Sequence, residues 1–209
     1  MNISIGLAVA LLAACYLIGS IPEAWLITKW VTGKDLRLIG SGNLGVTNTA
    51  LSVARWAGLL VFLMELAKGF SAVLLVRAVG GGEPLVALGL LATVAGTRWS
   101  VWMRGAGGRG NTAGVGGLLL IDWRIILAIA VVWIPLRLIF RSSFVATRIS
   151  LVAWFIIFYI VTRVWWYALF GAALSLIYLQ AQEPDTDDHS MVKERWPNMW
   201  AFISGPRRK

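Results

Sequence analysis

The sequence predicts an all-α, polytopic membrane protein of about seven transmembrane helices, with its N-terminus outside the cell and its C-terminus in the cytoplasm. Hydrophobic residues make up 58% of its 209 residues and charged residues only 14%, against roughly 25% charge in soluble domains. The apolar residues form long blocks, whereas the strands of a β-barrel would show alternation. Basic residues concentrate in every second predicted loop, which is typical of cytoplasmic loops.

Seven apolar blocks approach the length of about 20 residues that a helix needs to cross a bilayer. They cover residues 3–21, 58–79, 84–97, 112–121, 125–140, 145–161 and 164–179. The fourth block is short and rich in glycine, so we expect protein rather than lipid to surround it. We predict a transmembrane domain over residues 1–182 and a cytoplasmic tail over residues 183–209.

The charges of the loops set the predicted orientation. Most cations fall after the first, third and fifth blocks and in the tail: Lys29, Lys34, Arg37, Arg55, Arg98, Arg104, Arg109, Arg137, Arg141, Lys193, Arg195, Arg207, Arg208 and Lys209. The opposite loops hold only Arg77, Arg124 and Arg163, at their edges. If these positions are cytoplasmic, an odd number of spans leaves the N-terminus outside. We expect a multi-pass protein of the inner (plasma) membrane. Its net charge of +9 suits anionic lipids, and no polar basic face suggests nucleic-acid binding.

Two local patterns have simple interpretations. Cys15 ends a stretch that resembles a lipoprotein cleavage box, but no Lys or Arg precedes it, as a signal peptide would require. We therefore expect a buried thiol in the first helix. The acidic stretch 183–188 is interpreted as a solvated linker, with a metal site as the alternative.

The first candidate binding segment is a glycine-rich loop after the first block. Its polar and glycine residues are Gly40, Ser41, Gly42, Asn43, Gly45, Thr47 and Asn48, and cations lie on both sides of it. Glycine allows several backbone N–H groups to turn toward one point, and such a nest binds phosphate. The pattern favours phosphate binding over a merely flexible loop.

The second candidate segment, residues 104–112, is also glycine-rich and basic. Gly107, Gly108 and Gly110 surround Arg109, whose guanidinium can bind phosphate through two parallel hydrogen bonds. Neither loop has the spacing of a Walker motif, so ATP hydrolysis is not indicated. Two such loops on one side of the membrane predict a ligand with phosphate groups.

Glu65 and Lys68 lie three residues apart within the second block, which places them on one face of a helix. Ionisable groups at membrane depth are costly and usually paired. We favour a structural ion pair, and the alternative is that Lys68 reaches a substrate anion.

These motifs together resemble the bacterial acyl-phosphate:glycerol-3-phosphate acyltransferases, the PlsY family. YLIGSIP at residues 16–22 matches the family's opening YLLGSIPFG, and GSGNLGVTN at residues 40–48 is similar to GSGNIGATN. ELAKG at 65–69 resembles D-x-x-K-G, and GGRG at 107–110 resembles GGKG. The order and spacing of the motifs agree from residue 16 to about residue 120.

The resemblance implies seven spans, an outside N-terminus and a catalytic face on the cytoplasm. It implies transfer of an acyl chain from acyl phosphate to the 1-hydroxyl of glycerol 3-phosphate, giving lysophosphatidic acid and phosphate in phospholipid synthesis. The expected partners are these two substrates and membrane lipids. Since acyl phosphate is already activated, no cofactor and no metal are expected.

The resemblance also implies roles for individual residues. Ser41 and the backbone of residues 40–48 would hold the acyl phosphate, and Arg109 would replace a family lysine that grips phosphate. In the tail, Asn198 corresponds to the family's third motif and Arg195 occupies its histidine position. The predicted catalytic residues are therefore Ser41, Arg109 and Asn198. The predicted substrate-binding residues are Gly40, Gly42, Asn43, Gly45, Thr47, Asn48, Arg55, Lys68, Gly107, Gly108, Gly110 and Arg195.

Some positions depart from the family pattern. Leu51 stands where the family usually has Arg, with Arg55 one helical turn further on as a candidate replacement, and Thr97 stands where the family often has His. These departures leave a second hypothesis, a non-catalytic or altered paralogue that binds a phospholipid or a polyol phosphate. A small permease is a third, although no internal repeat supports it.

Overall fold

The structure is a computed structural model that describes residues 3–181. Within this range every regular element is helical, as the sequence predicts, and two short 3₁₀ turns accompany the α-helices. The α-helices are α1 Ile5–Ser20, α2 Glu23–Thr32, α3 Val46–Ser52, α4 Arg55–Ala78, α5 Glu83–Arg98, α6 Asn111–Phe140, α7 Ser143–Val152, α8 Trp154–Thr162 and α9 Trp165–Ala181. The 3₁₀ turns are Leu36–Leu38 and Val101–Met103.

Four stretches of the described chain are long and apolar enough to cross a membrane. They are Ile5–Thr32, Arg55–Ala78, Glu83–Met103 and Asn111–Phe140. Helices α7 and α8 would form a fifth, since they pass the same test as a pair bent by 56°. The prediction of an all-helical membrane protein is confirmed at this level. The number of seven spans and the orientation of the termini stay predictions.

Hydrogen bonds across α1 and α5 show that these two helices run in the same direction. Thr93 Oγ1 donates to the carbonyl oxygen of Cys15 (3.1 Å), and Thr97 Oγ1, one turn later, donates to that of Gly19 (3.2 Å). Helix α4 runs the opposite way beside them, because Lys68 contacts the end of α1 whereas Arg77 contacts Glu83 at the start of α5. The ends of α1 and α5 and the middle of α4 therefore lie together.

Glycines allow the backbones of neighbouring helices to approach closely. A Cβ atom at Gly69 of α4 would clash with the carbonyl oxygen of Ala113 in α6, and one at Gly116 would clash with that of Leu66. Small residues at such crossings are a common device of membrane helices, where dispersion contacts and not water exclusion hold helices together. This crossing brings the beginning of α6 against the middle of α4.

Helix α6 is interrupted at Asp122, whose backbone is non-helical (φ −162°, ψ 102°). The Asp122 carboxylate accepts a hydrogen bond from the backbone N–H of Arg124 (3.0 Å), so it caps the segment that follows. Asn111 and Trp133 line the same cavity, although they would stand about 33 Å apart in a straight helix. Since both residues lie 11 positions from Asp122, the two halves of α6 fold back as a hairpin.

This break falls between the fourth and fifth apolar blocks of the sequence, as expected for two separate helical segments. The largest buried core lies beside the hairpin and includes Leu90, Ile125, Phe158 and Leu174. Large apolar side chains point outward elsewhere, such as Leu63 at 53% and Val152 at 75% exposure, as lipid-facing positions require. Half of the short fourth block is buried against protein, at Ala113, Gly114, Gly116, Gly117 and Leu118, whereas Val115 and Leu119 are exposed.

Substituting Gly69→Ala should destabilise the protein, because the new Cβ would meet backbone atoms of α6 that cannot move independently. We expect a clear fall in the midpoint of thermal unfolding in detergent. Gly6→Ala is the matched control, since no atom lies within 4 Å of its Cβ position, and replacing a helical glycine there should stabilise the helix by about 0.5–1 kcal/mol. Equal midpoints for the two variants would contradict the close α4–α6 contact.

Candidate anion-binding site

The two glycine-rich loops meet at one pocket of about 100 Å³. The first loop contributes Asn43, Leu44, Gly45, Val46 and Thr47, and the second contributes Gly108, Arg109 and Gly110. Glu65 of α4, Thr97 of α5, and Asn111 and Thr112 of α6 complete the lining. Segments that are more than 60 residues apart in the sequence therefore form a single concave site.

The buried side chain of Asn48 holds the first loop in shape. Its Oδ1 accepts hydrogen bonds from the backbone N–H of Ser41 (3.2 Å) and from the hydroxyl of Ser52 (2.9 Å). Its Nδ2 donates to the carbonyl oxygens of Ile39 (3.1 Å) and Asn43 (3.0 Å). Because one amide bonds groups within the loop and on both sides of it, it fixes the path of the loop backbone.

Glycine in the second loop allows the two loops to touch. A Cβ atom at Gly108 would lie 2.5 Å from the carbonyl oxygen of Leu44, closer than real Cβ contacts come. The backbone N–H of Gly108 donates to the carbonyl oxygen of Thr97 (3.0 Å), which anchors the loop on α5. Any larger side chain at Gly108 would separate the loops and open the pocket.

Two features of the described chain favour an anion at the pocket. Arg109 is half-buried and lines the pocket. Helix α6 begins there at Asn111, and the first N–H groups of a helix have no partner inside the helix. Together with the helix dipole they attract anions. Arg109 and the start of α6 thus face the same small volume.

Behind the pocket, Lys68 is buried in a cluster of acceptors. Its Nζ donates to the carbonyl oxygens of Gly19 (3.1 Å) and Ile21 (2.6 Å) and to Glu65 Oε1 (3.1 Å). It also forms an ion pair with Glu23 Oε2. Glu23, Glu65 and Lys68 are all less than 7% exposed. The i,i+3 ion pair predicted between Glu65 and Lys68 is present, and Glu23 is an additional partner.

One of the flanking cations is neutralised by its neighbour. Arg37 binds the Asp35 carboxylate through both Nε and Nη2, at 2.6–3.2 Å. The guanidinium holds the pKa of Asp35 well below its usual range, chiefly through these hydrogen bonds. Arg37 therefore adds little net charge to the first loop.

The structure separates the predicted site residues into groups. Six of them line the pocket: Asn43, Gly45, Thr47, Gly108, Arg109 and Gly110. Four predicted residues belong to the first loop but do not line the pocket: Gly40, Ser41, Gly42 and Asn48. A very small adjoining cavity is lined by Gly107 and Lys68. Arg55 is exposed at the start of α4. Asn198 and Arg195 lie outside the described residues.

Several residues of this region are not among the predicted site residues. Glu65 and Thr97 line the pocket although they belong to predicted spans, and Asn111 marks the start of α6. Glu23 escaped notice as a partner of Lys68, although a carboxylate directly after Pro22 in a long apolar stretch is a usable signal for a buried partner. Among residues 3–181, no group of three or more His, Cys, Asp and Glu side chains could hold a metal ion.

A family model described as glycerol-3-phosphate acyltransferase matches residues 9–185 of the chain. The chain belongs to this family.

Individual relatives agree with the family model. Glycerol-3-phosphate acyltransferase 2 of Moorella thermoacetica is 37% identical over 179 residues, which cover 83% of this chain and 89% of the relative. A glycerol-3-phosphate acyltransferase of Prochlorococcus marinus is 38% identical over 126 residues, or 60% of this chain. That alignment spans 62% of the relative's length.

The fold has close counterparts among crystal structures. A structure of PlsY (YgiH), described as an integral membrane glycerol 3-phosphate acyltransferase in its glycerol 3-phosphate form, superposes with a TM-score of 0.71 and 24% identity, covering 97% of this chain and 95% of the other. A lysophosphatidic acid form superposes with the same TM-score over 88% of this chain and 91% of the other. The helical arrangement described above is therefore shared with an acyltransferase.

Replacing Lys68 should destabilise the protein strongly. Lys68→Met leaves the buried carboxylates of Glu23 and Glu65 without their counter-ion, and breaking a buried ion pair from one side costs about 3–5 kcal/mol. We expect a large fall in the midpoint of thermal unfolding in detergent. The triple variant Lys68→Met, Glu23→Gln, Glu65→Gln removes all three charges and should recover much of the loss. An unchanged midpoint for Lys68→Met would refute the importance of this ion cluster.

Proposed function

We propose that the protein is a membrane acyltransferase that moves an acyl chain from acyl phosphate to the 1-hydroxyl of glycerol 3-phosphate, releasing phosphate and lysophosphatidic acid. The convergence of two glycine-rich loops, Arg109 and the start of α6 on one pocket is the observation that carries this proposal. Both substrates present phosphate groups, and the pocket offers donors and positive charge suited to them. The reaction itself is inferred from the family to which the chain belongs.

The chemistry requires little from the protein beyond positioning and charge stabilisation. The hydroxyl oxygen of glycerol 3-phosphate attacks the acyl carbonyl carbon, a new C–O ester bond forms, and the bond to the phosphate oxygen breaks. The leaving phosphate takes the hydroxyl proton, so no side chain is needed as a base. Arg109 and the backbone N–H groups around the pocket stabilise the charge that develops on the departing phosphate.

The residue roles follow from the family resemblance and the pocket. Arg109 grips phosphate, while Ser41 and the backbone of residues 40–48 hold the acyl phosphate from the side of the first loop. Lys68 does not contact the substrates; its ion pair with Glu65 positions that carboxylate, which lines the pocket. Arg55, Asn198 and Arg195 are proposed to contribute further contacts to glycerol 3-phosphate.

The second candidate function is binding of a phospholipid or polyol phosphate without turnover. Two observations favour it: Leu51 is buried at 3% exposure, and the hydroxyl of Thr97 is occupied by the carbonyl oxygens of Gly19 and Thr93. Neither residue can supply the cationic or imidazole group that the family usually has there. Binding of glycerol 3-phosphate without product formation would distinguish this function from the first.

We further propose that seven segments cross the inner membrane, with a transmembrane domain over residues 1–182 and a cytoplasmic tail over residues 183–209. This number counts the two halves of α6 separately and α7 with α8 as one. Tyr167 at the start of α9 donates to Glu83 (2.9 Å), and Tyr178 near its end donates to the carbonyl oxygen of Gly110 (3.2 Å). These contacts support the proposal that Ile3 and Ala181 lie on opposite sides of the membrane. The cations around the pocket favour the cytoplasmic side for the pocket.

Substitutions in the two loops test the catalytic assignment. Arg109→Ala and Ser41→Ala should each remove most phosphate release from acyl phosphate in the presence of glycerol 3-phosphate, with a loss of about 10²-fold or more expected for a group that stabilises the transition state. Arg109→Lys should retain much of the activity, since it restores the residue that the family usually carries.

Lys34→Ala is the matched control, because Lys34 is an exposed cation before the same loop and does not line the pocket. Its rate should stay close to that of the unaltered protein. Near-normal rates in both Arg109→Ala and Ser41→Ala would refute the site, and no turnover by a folded unaltered protein would leave the binding function.

The orientation can be tested by labelling single cysteines with a membrane-impermeant maleimide after Cys15→Ser. Arg124→Cys lies at the hairpin turn of α6 and should react in intact spheroplasts. Lys34→Cys should react only after permeabilisation, because its loop faces the cytoplasm. The reverse pattern would invert the proposed orientation while leaving the fold intact.

A further inference from the structure

Glu65 places a carboxylate in the wall of a pocket whose other features favour anions. It belongs to α4, it is 6% exposed, and it lines the anion-binding pocket. Among the described residues that line this pocket, Glu65 is the one carboxylate. An ionisable group that is buried at membrane depth and borders a cavity calls for a functional explanation.

Lys68 does not require Glu65 as a counter-ion. The Lys68 ammonium also forms an ion pair with Glu23 Oε2 and donates to the carbonyl oxygens of Gly19 and Ile21. One carboxylate neutralises one ammonium, so Glu65 brings a second negative charge into the cluster. Because burying an excess charge costs free energy, a structural ion pair alone does not account for Glu65.

Glu65 can accept hydrogen bonds beyond the one that Lys68 provides. Lys68 Nζ donates to Glu65 Oε1 at 3.1 Å, whereas an ionised carboxylate offers about four lone-pair sites on its two oxygens. The same bond holds the Glu65 side chain in place, since three further oxygen atoms fix Lys68. The carboxylate is therefore a preorganised acceptor at the pocket.

The chemistry of glycerol 3-phosphate indicates what Glu65 binds. The phosphate carries mainly acceptor oxygens, which find donors in Arg109 and in the first N–H groups of α6. The two hydroxyl groups of the substrate can donate, and a carboxylate accepts only from donors. In the proposed reaction the 1-hydroxyl gives its proton to the leaving phosphate. The 2-hydroxyl is therefore the donor that needs an acceptor.

We propose that the Glu65 carboxylate accepts a hydrogen bond from the 2-hydroxyl of glycerol 3-phosphate and thereby selects phosphates of polyols with neighbouring hydroxyl groups. The inference rests on the proposed function and adds a specificity-determining residue to it. With its phosphate at Arg109 and its 2-hydroxyl at Glu65, the substrate is held at two points, and the 1-hydroxyl is left as the nucleophile. Glu65 itself forms and breaks no covalent bond.

The test compares glycerol 3-phosphate with 3-hydroxypropyl phosphate, which keeps the phosphate and the reacting hydroxyl but lacks the 2-hydroxyl. A site built to hydrogen-bond a substrate hydroxyl discriminates against an analogue without it. With acyl phosphate as the donor, the unaltered protein should show a kcat/KM at least about tenfold higher for glycerol 3-phosphate. Equal kcat/KM values for the two substrates would overturn the inference while the acyltransferase function stands.

Glu65→Gln and Glu23→Gln form a matched pair of variants. Each removes one of the two carboxylates beside Lys68 and leaves the other as its counter-ion, but only Glu65 lines the pocket. Because a neutral amide is a weaker acceptor than a carboxylate, Glu65→Gln should lower kcat/KM for glycerol 3-phosphate by about tenfold. Its kcat/KM for 3-hydroxypropyl phosphate should stay within about twofold of the unaltered protein. Glu23→Gln should keep the full preference for glycerol 3-phosphate.

Two results with these variants would overturn the inference. Equal losses with both substrates in Glu65→Gln would indicate a general disturbance of the pocket. A loss of preference in Glu23→Gln as large as in Glu65→Gln would show that the charge of the cluster, and not a contact with the substrate, causes the effect. The comparison of the two substrates in the unaltered protein stands even if a variant fails to fold.

A binding measurement separates failure of this inference from failure of the proposed function. If the unaltered protein turns over neither substrate, the acyltransferase function fails, and isothermal titration calorimetry still gives the Kd of each phosphate. Glycerol 3-phosphate should bind at least about tenfold more tightly than 3-hydroxypropyl phosphate to the unaltered protein and to Glu23→Gln. In Glu65→Gln this preference should fall below about threefold. Equal dissociation constants in the unaltered protein, or binding of neither phosphate, would overturn the inference.

Discussion

The buried ammonium of Lys68 is the interaction on which the arrangement of the site depends. It takes two carbonyl oxygens from the end of α1, Glu23 from α2 and Glu65 from its own helix. A charge at this depth is stable only with such a complete set of acceptors. These bonds to the ammonium fix the junction of α1 and α2 against α4. Both glycine-rich loops pack next to this junction, since Leu44 and Gly108 line the same small cavity as Glu23 and Lys68.

Glycine provides the second constraint, since it controls how closely backbones approach. At Gly69 and Gly116 it lets α4 and α6 cross in contact, and at Gly108 it lets the second loop touch Leu44 of the first. These contacts direct the start of α6 at the pocket, where its unpaired N–H groups and Arg109 converge. The same hairpin of α6 then leads away from the pocket and bounds the apolar cavity lined by Leu118, Ile126 and Trp133.

This arrangement suits a reaction between a water-soluble phosphate and a lipid-like phosphate. In the proposed reaction the pocket needs positive charge but no strongly basic side chain, because acyl phosphate is already activated and its leaving phosphate would accept the proton. Such a site uses ordinary loop and helix geometry.

The sequence by itself determined the all-helical membrane class and the chemistry of the loops, because hydropathy, glycine content and charge are local properties. It also located the break between the fourth and fifth apolar blocks, and the Glu65–Lys68 pair, whose spacing lies within one helix. Only the tertiary structure decided that Glu23 completes that ion cluster and that the side chain of Asn48 hydrogen-bonds to the backbone of its own loop. It also decided that Asn111 lines two cavities. These facts depend on contacts between segments distant in sequence, and such contacts arise from close packing of helices, which no local pattern specifies.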